Sequence, residues 1–165
     1  MIDADGFRRN VGIILCNDAD QVFWGQRVGR GGWQFPQGGL AQGESLLDAM
    51  YRELTEEIGL GREQVTVVGR TRKWLRYRLP ARYRQPARQP LCIGQKQIWF
   101  LLRLTAPEEE IRLDASDSPE FEAWRWTDYW TPAEEVIFFK QRVYRRALEE
   151  LAPLIFGIDN HSHSR

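Results

Sequence analysis

The chain has little cysteine: only Cys16 and Cys92 occur among its 165 residues. Each falls in an apolar segment that reads as a strand, so two reduced thiols packed in a core are expected rather than a disulfide framework or a cysteine metal site. No run approaches the roughly 18 apolar residues of a membrane span, and the opening MIDADGFRRN has neither an apolar signal core nor an amphipathic targeting stretch. A soluble cytoplasmic protein is the expectation. Internal repeats and low-complexity tracts are also missing, which sets repeat and fibrous architectures aside. The most uneven shortage is of acid. Net charge is zero, with 23 Lys and Arg against 23 Asp and Glu, yet no acidic residue lies between Gln64 and Pro107. In that interval Arg70, Arg72, Lys73, Arg76, Arg78, Arg82, Arg84, Arg88, Lys96 and Arg103 accumulate, with Trp74, Tyr77 and Tyr83 among them. Such a stretch is either a solvated basic loop or a surface that meets phosphates and stacks bases.

What is present is a core and one dense motif. With 42% hydrophobic and 12% aromatic residues, 165 residues suffice for a single domain, placed at 1–156. The remainder, 157–165, reads as a loose tail, and His161 and His163 within it as a weak metal pattern best left as tail. Residues 38–60, GGLAQGESLLDAMYRELTEEIGL, place Gly38, Glu44, Arg52, Glu53, Leu54, Glu56, Glu57, Gly59 and Leu60 in the pattern G-x5-E-x7-R-E-U-x-E-E-x-G-U, where U is a bulky aliphatic residue. An isolated acidic pair on a helix is ordinarily a solvated face. The complete pattern reverses that reading.

On a helix, residues three and four apart share a face, so Glu53, Glu56 and Glu57 should converge. A like-charge i,i+4 pair costs a bare helix roughly 0.2–0.5 kcal/mol, and a hard divalent cation is the natural compensation. Mg²⁺ in particular is held by a few carboxylates together with substrate phosphates, which points to a diphosphate or triphosphate substrate. Ser45 followed by Asp48 supplies a helix start, Leu47, Met50, Tyr51, Leu54 and Ile58 an apolar stripe, and Gly59 a stop. Glu44 and Arg52 read as an ion pair tying the preceding loop to the helix.

Elsewhere Val11–Cys16 reads as a buried strand, hairpinned through Asn17–Asp20 to a second through Val22, Phe23 and Trp24. Glycine-rich 29–43 is a loop or broken strand. Further strands are expected at Val65–Val68, continuing through Arg70–Leu79, at Gln97–Leu104 and at Phe121–Trp126. Thr131, Pro132 and Glu134 begin a helix, and another covers Phe139–Leu151. Strands on both sides of one central helix, with helices at the end, predict an α/β domain with a mixed sheet between helical layers.

The 38–60 segment is the signature of the Nudix hydrolases, which it resembles at every specified position. The likeness extends through MIDADGFRRNVGIILCN, WQFPQGGL, WLRYRLP, CIGQKQIWFLL, SPEFEAWRW and FFKQRVYRR, segments similar to the bacterial RNA pyrophosphohydrolase group, earlier described as dinucleoside polyphosphate hydrolases. The resemblance implies an α/β/α sandwich and hydrolysis of 5′-triphosphorylated or diphosphorylated RNA, with dinucleoside polyphosphates as the alternative substrate; the rival from a different class is a non-catalytic RNA-binding or scaffold module that keeps the fold. It implies one or more Mg²⁺ ions, or Mn²⁺, on Glu53, Glu56, Glu57 and Glu120, with Glu53 as general base or Glu57 or Glu120 in its place. Arg8, Tyr77 and Gln95 would meet the 5′ polyphosphate, and Arg27, Ile137, Phe139 and Lys140 a base near the 5′ end. A protein activator such as diaminopimelate epimerase is implied for relatives.

Overall fold

The structure, a computed structural model, describes residues 2–29, 32–87 and 90–163, with side chains up to residue 157. Strand β1 (Phe7–Cys16) is the axis of the fold. Its apolar residues alternate between faces, so Val11, Ile13 and Leu15 enter one core while Ile14 and Cys16 enter the other. Burial on both faces explains the nearly continuous apolar run. The strand begins at Phe7, earlier than hydropathy suggests, because it pairs in parallel with β7 (Gly94–Leu104) from Phe7 opposite Gly94 to Cys16 opposite Arg103. Backbone pairing thus absorbs the polar Arg8, Arg9 and Asn10.

Around this pair the order is β3 (Trp33–Gln34), β2 (Val22–Arg27), β1, β7, β5 (Val65–Arg70). Strand β4 (Gln37–Gly39) also pairs with β1, β6 (Leu75–Arg78) with β7, and β8 (Phe121–Thr127) with β2, all antiparallel. The sheet is therefore mixed. Glycine-rich 29–43 is a broken strand, as read.

The single strand expected to continue over Arg70–Leu79 is split. Strands β5 and β6 both pair with β7, and between them Thr71 turns inward, its N–H donating to the Trp99 carbonyl at 2.9 Å and its Oγ1 accepting the Trp99 N–H at 3.0 Å. A buried side-chain bond replaces the ladder there, and the chain bends at Arg72 and Lys73. Cys92 is also corrected: it precedes β7 in irregular chain, half-buried, with its thiol against the Gly94 carbonyl at 3.2 Å. Cys16 is buried in β1 as expected, and burial pushes its thiol up to about 11.

Helix α1 (Leu46–Ile58) covers one face, packing Met50, Leu54 and Ile58 on Val11, Ile13, Leu15, Ile98, Phe100 and Leu102. Helices α2 (Thr131–Glu135) and α3 (Gln141–His163) cover the other, where Ala133, Tyr144, Leu148 and Leu151 pack on Trp24, Trp99 and Leu101. This is the expected α/β/α sandwich. Trp24, Phe35, Trp99 and Tyr144 form an aromatic cluster with centroids 5.0–6.1 Å apart, mostly edge to face. The Phe35 N–H donates to the Tyr144 hydroxyl at 3.1 Å, which anchors the β3–β4 segment to α3.

The helix expected over Phe139–Leu151 begins as a 3₁₀ turn at Phe138–Lys140 and becomes α-helical at Gln141. Helix α3 is interrupted at Gly157, which has φ 80 and ψ 163. Past Gly157 the backbone of the expected loose tail is helical up to His163, while 164–165 and the side chains of His161 and His163 lie outside what the structure describes. Among the described residues no helix is long and apolar enough to cross a membrane.

Candidate active site

Helix α1 starts where the Ser45 Oγ accepts the Asp48 N–H at 3.1 Å. It ends at Gly59, whose φ of 74 is left-handed and whose N–H donates to the Thr55 carbonyl at 3.0 Å. Leu47, assigned to the packed stripe, is 43% exposed. It stands in the first turn, above a hollow lined by Ser45, Leu46, Val67, Gly69, Arg70 and Phe100, with no side chain closing over it. Ala49 takes its place in the core.

The three motif glutamates do not share one environment. Glu53 and Glu57 are buried, at 7% and 8% exposure, whereas the Glu56 side chain is 49% exposed. Gly38 passes so close above that a Cβ there would overlap the Glu53 carboxylate, which is the physical need for glycine at that position. Burial, then the charges of Glu53 and Glu120, push the Glu57 carboxyl well above its ordinary range, and a side-chain hydrogen bond joins it to Glu53. Burial likewise raises Glu53, against the pull of Arg52. The Gln37 N–H donates to Glu57 Oε1 at 3.2 Å.

Arg52 is the hub of the acidic side. Its Nε and Nη2 grip both oxygens of Glu44 at 2.8 and 2.9 Å, Nη2 also donates to the Gly39 carbonyl at 2.8 Å, and Nη1 reaches Glu53 at 2.7 Å and Glu56 at 3.4 Å. The fork holds the Glu44 carboxyl down at about 2, with help from the Ala41 N–H. The expected tie between loop and helix is present, and it extends to two of the motif acids.

Glu120, at the start of β8, pairs with Arg27 Nε at 3.1 Å and accepts a long bond from Gln34 Nε2 at 3.5 Å. Its charge raises the Glu57 carboxyl and favours the charged form of Lys140. Among the described residues no group of three or more His, Cys, Asp or Glu side chains is arranged to hold a metal ion as it stands. The physical reason is the cations already in place: Arg52 holds Glu53 and Glu56, and Arg27 holds Glu120. The donor set nevertheless suits a hard cation, being all carboxylate oxygen, with Glu57 buried against two acidic neighbours and no cation of its own.

Beside these acids lies a cavity of about 240 Å³. It gathers Arg27, Tyr77, Gln95, Glu120, Phe139 and Lys140 from five separate stretches, together with Gln34, Gln37, Leu79 and Tyr83. Lys140 is 7% exposed and donates from Nζ to Gln34 Oε1 at 3.0 Å, and burial with the nearby Arg27 lowers its ammonium to about 8. Phe139 faces Tyr83 at 4.9 Å and Tyr77 at 5.8 Å, giving an aromatic wall. Two expected contacts lie outside this lining. Ile137, 40% exposed, precedes the 3₁₀ turn, and Arg8 sits opposite Gln95 across β1 and β7, beside Gly39, its Nε buried without a hydrogen-bond partner among the described residues.

Gln34 and Gln37 were not singled out from the sequence, although they flank Phe35 and Pro36 in WQFPQGGL. Gln97 Nε2 donates to both Asn10 Oδ1 and Gln37 Oε1 at 2.9 Å, fixing Gln37 beneath the cavity. Only the apolar anchor between the two glutamines was a readable signal.

A single-layer mixed sheet between helices, with a glycine loop leading into an acid-bearing helix at one end, defines the class. The NUDIX domain profile matches residues 6–151, and the chain belongs to this family. It is 61% identical over 94% of its length to a protein of Thioalkalivibrio sulfidiphilus named RNA pyrophosphohydrolase, covering 90% of that protein. A Pseudomonas fluorescens protein of the same name is 58% identical over 96% of the chain and all of its own length. Among solved structures the fold is similar to the Escherichia coli dihydroneopterin triphosphate pyrophosphohydrolase, with TM-score 0.69 and 22% identity over 87% of this chain and 95% of that one.

Proposed function

We propose that the protein is a cytoplasmic RNA pyrophosphohydrolase that removes phosphates from the 5′ end of triphosphorylated or diphosphorylated RNA, leaving a 5′-monophosphate. The observation that carries this reading is the cavity of Arg27, Tyr77, Gln95, Phe139 and Lys140 opening beside the buried Glu57. It supplies a place for a nucleotide next to a place for its phosphates. Relatives near 60% identity carry the corresponding name.

One or more divalent cations, Mg²⁺ or Mn²⁺, held by Glu53, Glu56, Glu57 and Glu120, would neutralise the phosphates and acidify a bound water. The chain's own residues do the rest. Arg52, clamped by Glu44, orients the Glu53 carboxylate, and Gly38 leaves it room. Glu53 is the base that takes the proton of the attacking water, while Glu57, whose carboxyl is raised by burial beside Glu53, supplies the second carboxylate. Arg8 and Gln95 face each other across β1 and β7, where a charge-assisted bond from the buried Arg8 Nε suits a phosphate oxygen. Phe139 and Tyr83 offer stacking faces to an unpaired base, and Lys140 Nζ a donor to its edge.

Incubation with 5′-labelled triphosphorylated RNA and Mg²⁺ tests the reading: the label should be released, and its retention by folded protein counts against it. Diadenosine tetraphosphate in the same buffer separates the alternative, since a higher kcat/KM on it would make RNA the secondary substrate.

A further inference from the structure

A second concavity, of about 630 Å³, lies between β5, the bend before β6, and α3. Arg70, Arg72, Lys73 and Arg146 line it, over a floor that includes Leu75 and Leu151. Among the described residues none of these four side chains has an ion-pair or hydrogen-bond partner. Several cations elsewhere on the surface do: Arg62 pairs with Asp48, Arg103 with Asp20, Arg112 with Asp114 and Arg125 with Glu135. The one acid in the groove, Glu150, is turned to accept the Arg72 N–H at 2.8 Å. Four like charges around one hollow repel one another, and only an anion with several charges meets all of them.

The groove lies near the active-site cavity, on the far side of the packed contact of β6 with α3. Tyr77 of β6 lines the cavity and Leu75, two residues earlier on the same face of the strand, lines the groove, about 7 Å away. Along the other wall Lys140 lines the cavity and Arg146 the groove, roughly 9 Å further along the helix. A polymer leaving the cavity and running over the packed contact of β6 with α3 arrives at the four cations after a short stretch of chain.

We propose that this groove binds the phosphate backbone of single-stranded RNA downstream of the hydrolysed 5′ end. The assignment rests on the RNA reading of the active site. It makes the acid-free stretch from Gln64 to Pro107 part of the substrate track, with α3 supplying the opposite side.

The test compares the wild type with the double variant Arg72→Gln/Arg146→Gln, both exposed positions, on 5′-triphosphorylated RNA of about 12 nucleotides and on a 5′-triphosphorylated dinucleotide. For the longer RNA, KM should rise about tenfold with kcat unchanged, and the slope of log KM against log salt should fall by about 1.4, the loss of two single-strand phosphate contacts. The dinucleotide, too short to enter the groove, should keep its KM. An unchanged KM for the longer RNA, or an equal rise for both, overturns the proposal. Fluorescence anisotropy with a 5′-hydroxyl RNA of the same length separates this claim from the catalytic one, because it needs no hydrolysis. Weaker binding by the double variant supports the groove even if triphosphorylated RNA proves not to be a substrate, and equal binding refutes it. Poly-glutamate bound as tightly as RNA at the same salt, with the same loss in the variant, would replace RNA by an acidic protein segment.

Discussion

Helix α1 and the β5–β6–α3 surface handle charge in opposite ways. At α1, Glu53 and Glu57 are drawn inward and a single guanidinium is shared among Glu44, Glu53 and Glu56, with the Glu57 carboxyl raised by burial beside Glu53. On the other surface, Arg70, Arg72, Lys73 and Arg146 point outward and take no ion-pair or hydrogen-bond partner among the described residues. The first region is folded around its charges, and burial tunes them. The second leaves its charges for something else to neutralise. Chemistry belongs in the first and capture in the second, since burial and crowding shift proton affinities, while exposed cations act at longer range.

The largest effects should come from breaking the buried side. Glu53→Gln and Glu57→Gln each remove a carboxylate from the buried pair and should lower kcat on the order of 10²-fold or more with the far-ultraviolet circular dichroism unchanged. Glu56→Gln, at a half-exposed position, should cost less than either, and a loss as great would erase the distinction between the three acids. Gly38→Ala follows. Its methyl would displace the Glu53 carboxylate, and a shift on the order of 1 Å at a reacting group costs up to about 10²-fold in rate.

These tests probe the part of the site that was legible in sequence. The helical period alone fixes Glu53 and Glu57 on one face, Ser45 and Gly59 are local capping signals, and the Glu44–Arg52 pair follows from the motif. The fold class was legible too, because a strand buried on both faces announces itself as an uninterrupted apolar run, as Gly12–Cys16 does. What depended on pairing between distant strands was not. Gln34 and Gln37 reach the cavity because Tyr144, 109 residues from Phe35, and Gln97, 60 residues from Gln37, hold their segment. Thr71 splits a strand through one buried bond to Trp99. Cys92 sits in an apolar stretch that stays irregular. Glu120 came only from the family likeness, since nothing local distinguishes a glutamate at a strand start.

Arg52→Ala should sharpen the comparison next, by removing the cation from the acidic side. It strips several charged hydrogen bonds from a group a third exposed, for a stability loss of about 2 kcal/mol at neutral pH after allowing for solvent screening. Its pH signature has a definite sign. The Glu44 carboxyl is held at about 2 against an ordinary 4.5, so its contribution is complete above that ordinary value and is lost as pH falls toward 2. Chemical denaturation across that window should show the wild type losing its advantage over the variant. Glu57 behaves oppositely. Its raised carboxyl favours the fold at low pH and less so as pH rises above 4.5, so divalent cations must displace its proton and should bind more tightly as pH rises. Calorimetric Mg²⁺ titrations in buffers of different ionisation enthalpy should register that proton.

A smaller change is expected at Lys140, the one buried cation of the cavity. With its ammonium lowered to about 8, it holds its charge at neutral pH and loses it as pH rises through that value. A charged donor to a base edge is stronger than a neutral one. KM for triphosphorylated RNA should therefore increase a few-fold, by about 3, between neutral pH and about pH 9, while Lys140→Met should raise KM at neutral pH and flatten that limb of the profile.

The smallest effect tests whether spacing or the neighbouring chain decides what a helix buries. Leu47 and Leu54 are seven residues apart, so the helical period puts them on nearly the same face. Leu54 is fully buried, yet Leu47 is 43% exposed, because its turn overhangs an open hollow beside β5. Leu47→Gln exchanges one exposed side chain for another of similar length and good helix propensity, so stability should change by no more than about 0.5 kcal/mol. A loss of about 2 kcal/mol or more in urea denaturation would mean that the hollow closes over Leu47 in solution and that the stripe read from the sequence was complete.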